Sequence, residues 1–155
     1  MQKVIVDHKR LEIYQLSQQF VIEIYKLVEK FPHKEENNLT SQLCRAATSI
    51  PLNLAEGASA GSYRIFLNYL FFAYRSAREL ESALELCKML KYIDETRHAE
   101  IFEKLDKMTR KIYRYTEYID EKAGESKRSK TYFYKQQKYY LNSTKNKIEG
   151  DDKSE

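Results

Sequence analysis

The sequence predicts an all-α protein, an antiparallel up-down-up-down four-helix bundle, and three observations carry that prediction. Glycine and proline are scarce, four and two in 155 residues, so turns are few and elements are long. Apolar residues recur at three- and four-residue spacing over four stretches, as in helices with one buried face. The polar links between those stretches are short, which favours antiparallel neighbours around a single core.

The first helix is expected over residues 8–31. Tyr14, Val21, Ile24, Val28 and Phe31 form one stripe, and Ile13, Leu16, Phe20 and Leu27 a second beside it. Together they are wider than the roughly 100° stripe of an ordinary surface helix. Pro32 ends the helix. The second helix starts at residues 39–41, with Thr40 or Ser41 as N-cap, and turns Leu43, Ala47, Ile50 and Leu54 to the core. Pro51 sits inside it, at a cost of roughly 3 kcal/mol that only packing can offset. Gly57 is expected as the left-handed residue just past its end. Ser62 caps a third helix over residues 63–92, with the seam Phe66, Leu70, Ala73, Ala77, Leu80, Leu84 and Cys87. Asp94 caps the fourth, residues 95–122, with the seam Ile101, Leu105, Met108, Ile112, Tyr115 and Ile119, and Gly124 closes it. Residues 1–123 then make the bundle, and residues 124–155 a basic, aromatic, flexible tail rich in Lys and Tyr.

The net charge is +4, but 1–123 holds 19 basic and 18 acidic residues, and 124–155 holds 8 and 5. The body is near neutral and the tail carries most of the excess. No apolar run approaches the roughly 20 residues needed to cross a bilayer. The opening MQKVIVDHKR is not a secretory signal, so a cytoplasmic protein is expected. Cys44 and Cys87 lie within apolar helical patterns and read as reduced thiols. There is no Cys-x-x-Cys, and His8, His33 and His98 are far apart. Glu-x-x-His occurs once, at Glu95–His98, and one copy cannot build a di-iron site. With no nucleophile–base pair and no Gly-rich phosphate cradle, neither catalysis, metal, cofactor nor small-molecule substrate is expected.

Polar residues interrupt two apolar patterns. The third helix carries a second stripe, Ile65, Tyr69, Phe72, Ser76, Glu79, Ala83, Leu86 and Leu90. A carboxylate on it needs a partner. The second and third helices turn back near residue 60, so Arg45 falls about level with residue 75. Arg45 is therefore expected to pair with Glu79, with Ser76 a further acceptor. Asn53 and Glu56 lie farther along the same side of the second helix. Arg45, Asn53, Glu56, Ser76 and Glu79 read as an inter-helix polar lock that fixes register, not as an acid–base site.

The fourth helix separates its charges. Lys104, Lys107, Lys111 and Arg114 line one flank; Asp106 and Asp120, with Glu103, Glu117 and Glu121 nearby, line the other. Such a helix is a solvated, charge-balanced face, a head-to-tail subunit contact that closes into a ring, or a phosphate contact. The tail interleaves Lys127, Arg128, Lys130, Tyr132, Tyr134, Lys135 and Lys138, where cations can neutralise phosphate and rings can stack on unpaired bases. The plain alternative is a solvated lysine-rich tail.

Two blocks carry a family resemblance. The second helix has Ser41-Gln42-Leu43, Arg45-Ala46-Ala47, Ser49-Ile50-Pro51, Asn53 and Ala55-Glu56-Gly57; the third has Phe66, Ser76 and Glu79-Leu80-Glu81. Phe31-Pro32 fits as well. Over about residues 8–122 the chain resembles the bacterial four-helix bundle family named after proteins encoded in intervening sequences of 23S rRNA genes. It departs at Cys44, where the family has a basic residue, and at Leu54, where it has isoleucine. The resemblance implies a homopentameric ring with no assigned catalytic activity. The family is similar to the accessory variability proteins of diversity-generating retroelements, basic pentamers that work with a reverse transcriptase and RNA. The resemblance thus implies a non-catalytic oligomer that binds RNA or DNA as an accessory protein, with itself and a reverse transcriptase as partners. The alternative is a protein-interaction scaffold without a nucleic-acid role.

Overall fold

A computed structural model of the chain describes residues 6–123. Asp7 accepts a hydrogen bond from the Lys9 backbone N–H at 3.1 Å and caps one 3-10 turn, His8–Arg10. Leu11 is extended, and α1 follows over Glu12–Val28. The expected start at residue 8 is corrected, because an aspartate-capped turn offers the backbone an alternative to the helix. α2 covers Leu39–Ser59, α3 Tyr63–Met89 and α4 Glu95–Lys122. α1 packs on α2 and α4, and α3 completes the square between them, with the broadest contact at α2–α3 and the slightest at α1–α4. The four-helix, all-α reading holds; Gly124 and the tail lie outside the described residues.

The helix ends show where local chemistry decides and where tertiary contacts do. Asp94 caps α4 as expected, its Oδ1 accepting from the Arg97 N–H at 2.7 Å. α3 stops at Met89, short of residue 92. The Lys91 N–H donates to the Lys88 carbonyl and the Tyr92 N–H to the Cys87 carbonyl, both at 2.9 Å, with Lys91 left-handed at φ 60. That is a Schellman ending with lysine where glycine is usual. Ser62 makes no side-chain cap bond, and Thr40 and Ser41 lie inside α2. The Leu39 N–H is held from outside the helix by Glu35 Oε2, at 3.4 Å.

Glu35 is buried, and it also accepts from the Tyr92 hydroxyl at 2.8 Å and the Asn38 amide at 3.1 Å. One carboxylate therefore ties the α1–α2 link to the α3–α4 link. The tyrosine hydroxyl, more than the other donors, holds the Glu35 carboxyl below its ordinary value against the opposing effect of burial.

Gly57 is not a C-cap. α2 runs past it to Ser59, and the left-handed glycine is Gly61, at φ 70. Gly57 is buried where α3 crosses α2. A Cβ there would lie 2.6 Å from Phe66 Cδ2 and 2.6 Å from Tyr69 Cβ. Glycine is needed for that close approach.

The seams deliver the core. Phe66, Ile24, Leu43, Ile50, Leu54, Leu70, Leu80, Leu84, Ile101 and Ile112 are fully buried along the length of the bundle. Hydroxyls inside it are satisfied locally: Ser17 donates to the Tyr14 carbonyl at 2.6 Å, Thr109 to Leu105 at 2.7 Å and Thr116 to Ile112 at 2.8 Å. Tyr115 is half-buried, not a full core member. Both cysteines are free thiols, and burial pushes Cys87 up to about 11, which keeps it protonated and unreactive at neutral pH.

Candidate functional site

Where α2 and α3 cross, their outer edges carry a ladder of polar contacts. Tyr69 donates to Glu56 Oε1 at 2.8 Å. One level along, Ser76 donates to Ser49 Oγ at 2.8 Å, and Asn53 donates to the Ser49 carbonyl at 2.7 Å and hydroxyl at 2.9 Å. The last rung runs through Gln42, which donates to Glu79 Oε1 and accepts from Arg45 Nη2 at 2.6 Å. The structure thus brings Arg45, Asn53, Glu56, Ser76 and Glu79 to one side of the bundle. Two details are corrected. Arg45 reaches Glu79 through Gln42, and Ser76 bonds to Ser49 and to the Phe72 carbonyl, not to arginine. Ser49, Gln42 and Tyr69 are the members the sequence reading missed. Gln42 and Arg45, three residues apart on one helix, were the available signal.

The ladder is at the surface: Arg45, Glu56 and Glu79 are exposed. Arg45→Ala and Glu79→Ala should therefore each lower stability by about 1 kcal/mol or less, not the roughly 3–5 kcal/mol of a broken buried pair. A double-mutant cycle by urea unfolding should show coupling between them that vanishes in a Gln42→Ala background.

The basic flank of α4 meets α1. Lys104 Nζ lies 2.8 Å from Glu23 Oε1, Arg97 Nη2 lies 3.3 Å from the same oxygen, and Lys111 Nζ lies 2.9 Å from Glu12 Oε2. Two of the four cations assigned to nucleic acid are thus paired within the chain. Lys107 and Arg114 are exposed. The charge separation on α4 is matched by glutamates on α1, a long-range pairing that spacing along one helix does not reveal. On the opposite flank Asp106 pairs with Arg110 at 2.9 Å. The tail cations and rings, Lys127, Arg128, Lys130, Tyr132, Tyr134, Lys135 and Lys138, lie outside the described residues.

Toward the last turns of α4 the two helices leave a cleft of about 370 Å³, bordered by Arg10, Glu12, Lys111, Arg114, Tyr115 and Tyr118. Burial pushes the Tyr115 hydroxyl up to about 12, so it stays neutral. Among the described residues no group of three His, Cys, Asp or Glu side chains is placed to hold a metal, and no helix is long and apolar enough to cross a membrane.

The ladder, the α1–α4 ion pairs and most of the core fall within one stretch that matches a known family. The model of the 23S rRNA-intervening sequence protein matches residues 9–114, more than half of the chain. The chain belongs to the 23S rRNA-intervening sequence protein family. The family stretch includes α1, α2 and α3 and ends within α4 at Arg114, so Tyr115 and Tyr118 lie just beyond it. No curated protein matches the chain. Among solved structures it is similar to a protein with unknown function from the S23 ribosomal protein family of Bacteroides thetaiotaomicron VPI-5482. The two share 24% identity over 68% of this chain and 95% of that one, with a TM-score of 0.64. At that identity the likeness shows the fold alone.

Proposed function

We propose that this chain is a non-catalytic, self-assembling bundle, a homopentamer that serves as a nucleic-acid-binding accessory protein, with RNA and a reverse transcriptase as partners. The observation that carries the assembly is an apolar patch beside the polar ladder. Leu52 is 66% exposed, Phe72 47% and Ile65 45%. The rungs Ser49–Ser76 and Glu56–Tyr69 put Leu52 level with Phe72, and Ile65 is two turns from Phe72 on the same face of α3. Large apolar side chains grouped on one face and rimmed by polar groups favour a protein partner, and a second copy of this chain supplies the same patch. The family description, a 23S rRNA-intervening sequence protein, supports an RNA setting.

Light scattering should give a mass several times the 18.5 kDa of one chain. Leu52→Glu with Phe72→Glu should bring that mass down to the monomer without loss of helicity. A clean monomer of the unaltered protein at micromolar concentration would overturn the assembly.

The scaffold reading, without nucleic acid, is favoured by the α1–α4 ion pairs, since Glu12 and Glu23 already neutralise Lys111 and Lys104. Titration of single-stranded RNA at several salt concentrations separates the two readings. A steep loss of affinity with salt supports the accessory protein, and no binding supports the scaffold.

A further inference from the structure

The cleft between the start of α1 and the last turns of α4 combines a ring of cations with an aromatic shelf. Tyr118 is 49% exposed, and its ring centroid lies 5.8 Å from that of Tyr115, tilted by 32°. Lys122 Nζ rests over the Tyr118 ring at 5.5 Å. Arg10 and Arg114 are exposed at the rim, and Lys111 reaches in from α4. The acids at the rim are Glu12, paired with Lys111, and Asp7, 3.3 Å from Arg10. By helical spacing Glu121 borders the outer edge of α4. Asp7–Arg10 is solvent-exposed and Glu12–Lys111 partly so, and such contacts yield readily to a stronger partner.

The volume, about 370 Å³, falls in the range of small-ligand sites, about 300–1,000 Å³. A simple anion would use the cations and leave the tyrosines idle. An apolar ligand would make no use of Arg114, Lys111 and Arg10. A phosphorylated aromatic group uses both. A base paired in a duplex has no open face to offer, so the base must be unpaired.

We infer that this cleft holds one nucleotide unit of a single-stranded nucleic acid, its base stacked on Tyr118 and its phosphates held by Arg114, Lys111 and Arg10. The inference rests on the nucleic-acid reading proposed above and gives it a location. A phosphate replaces Glu12 as the partner of Lys111. The base displaces the Lys122 ammonium from the Tyr118 ring, because an exposed cation–π contact is weaker than base–aromatic stacking. Lys122 is then released toward the neighbouring phosphate.

The test is fluorescence anisotropy of the full chain with a short oligoadenylate, as RNA and as DNA of the same sequence. Tyr118→Ala should weaken binding roughly 5- to 100-fold, and Tyr118→Phe should restore it, since the ring and not the hydroxyl carries the stack. Arg114→Gln should weaken binding and flatten the plot of log affinity against log salt by about 0.7. Lys91→Gln, at the α3–α4 turn on the opposite end of the bundle, should change neither. Circular dichroism checks that each variant keeps its helices. Binding to both polymers, or to RNA alone, supports the site and identifies the source of the nucleotide. Oligonucleotide binding that the Tyr118 and Arg114 variants leave unchanged overturns the cleft while the accessory reading stands. A Tyr118→Phe variant as weak as Tyr118→Ala overturns the stacking. No binding by the unaltered chain overturns the cleft and the nucleic-acid reading together.

Discussion

Gly57→Ala should unfold more easily than the unaltered protein, by about 1–3 kcal/mol, the usual cost of forcing extra volume into a packed site. The sign is the informative part. Within a helix, alanine normally beats glycine by about 0.5–1 kcal/mol. Here the added Cβ meets Phe66 Cδ2 and Tyr69 Cβ at 2.6 Å each. Phe66 is only 1% exposed and has no room to swing aside, and a Cβ such as that of Tyr69 moves only with its backbone. Relief therefore requires α3 to move off α2 as a body, which loosens the Ser76–Ser49 and Tyr69–Glu56 rungs. Chemical denaturation of the single variant, and of Gly57→Ala with Phe66→Leu, checks this: the smaller side chain should recover part of the loss. A more stable Gly57→Ala would show that α3 shifts without cost.

Glu35→Gln should lower the thermal midpoint at neutral pH, and its deficit should shrink in acid. Glu35 is the acceptor for Tyr92, Asn38 and the Leu39 N–H, so replacing the carboxylate weakens three donors' contacts across two links. Its carboxyl is held below the ordinary 4.5, first by Tyr92 and then by the Leu39 N–H, Asn38 and Lys34, with burial opposing. A lowered carboxylate contributes stability that is complete above the ordinary value and is lost as pH falls through the folded value. Below about pH 4.5 the unaltered protein should therefore lose stability faster than Glu35→Gln. Glu81 works the other way: burial raises it, so its contribution is largest in acid and is lost as pH rises. The comparison of midpoints at a series of pH values must therefore be between the two proteins. Parallel curves would show that Glu35 is not the titrating group.

What the sequence disclosed was what short-range chemistry decides. Asp94 caps α4 because a cap and its helix are neighbours in the chain. The seams of α3 and α4, Tyr115 apart, follow from spacing alone, and Pro51 is helical as its surroundings suggest. Gly57 resembles a C-cap in sequence because a glycine near a helix end has the same local signature whether it turns the chain or admits a neighbour. Only the position of Phe66 tells the two apart, and that is a tertiary fact. Glu35 carries no cap signal in the sequence, since it holds the Leu39 N–H from four residues earlier, outside the N-cap position that Ser, Thr, Asp and Asn favour. The ladder was legible as a face but not as a set of bonds. Spacing places Arg45 and Glu79 on facing helices, yet side-chain reach decides that Gln42 stands between them. The basic flank of α4 suggested an outside partner because Glu12 and Glu23 lie some ninety residues away in sequence. Only the closing of the square brings them beside Lys111 and Lys104.

That closing seam makes the bundle unequal in its response to its surroundings. α2 and α3 meet through close backbone approach and apolar contact, and each rung of the ladder beside them has an uncharged partner, so ionic strength scarcely touches that edge. α1 and α4 meet most slightly, and Glu12–Lys111 and Glu23–Lys104 are partly open to solvent, where mobile ions weaken them. Lys88–Glu95 joins α3 to α4 in the same way, at 3.5 Å. Salt thus acts on the two edges that α4 shares and least on the α2–α3 crossing. Breathing should begin at the α1 edge, and a hydrogen-exchange map should grade from there toward the α2–α3 crossing as its most protected centre.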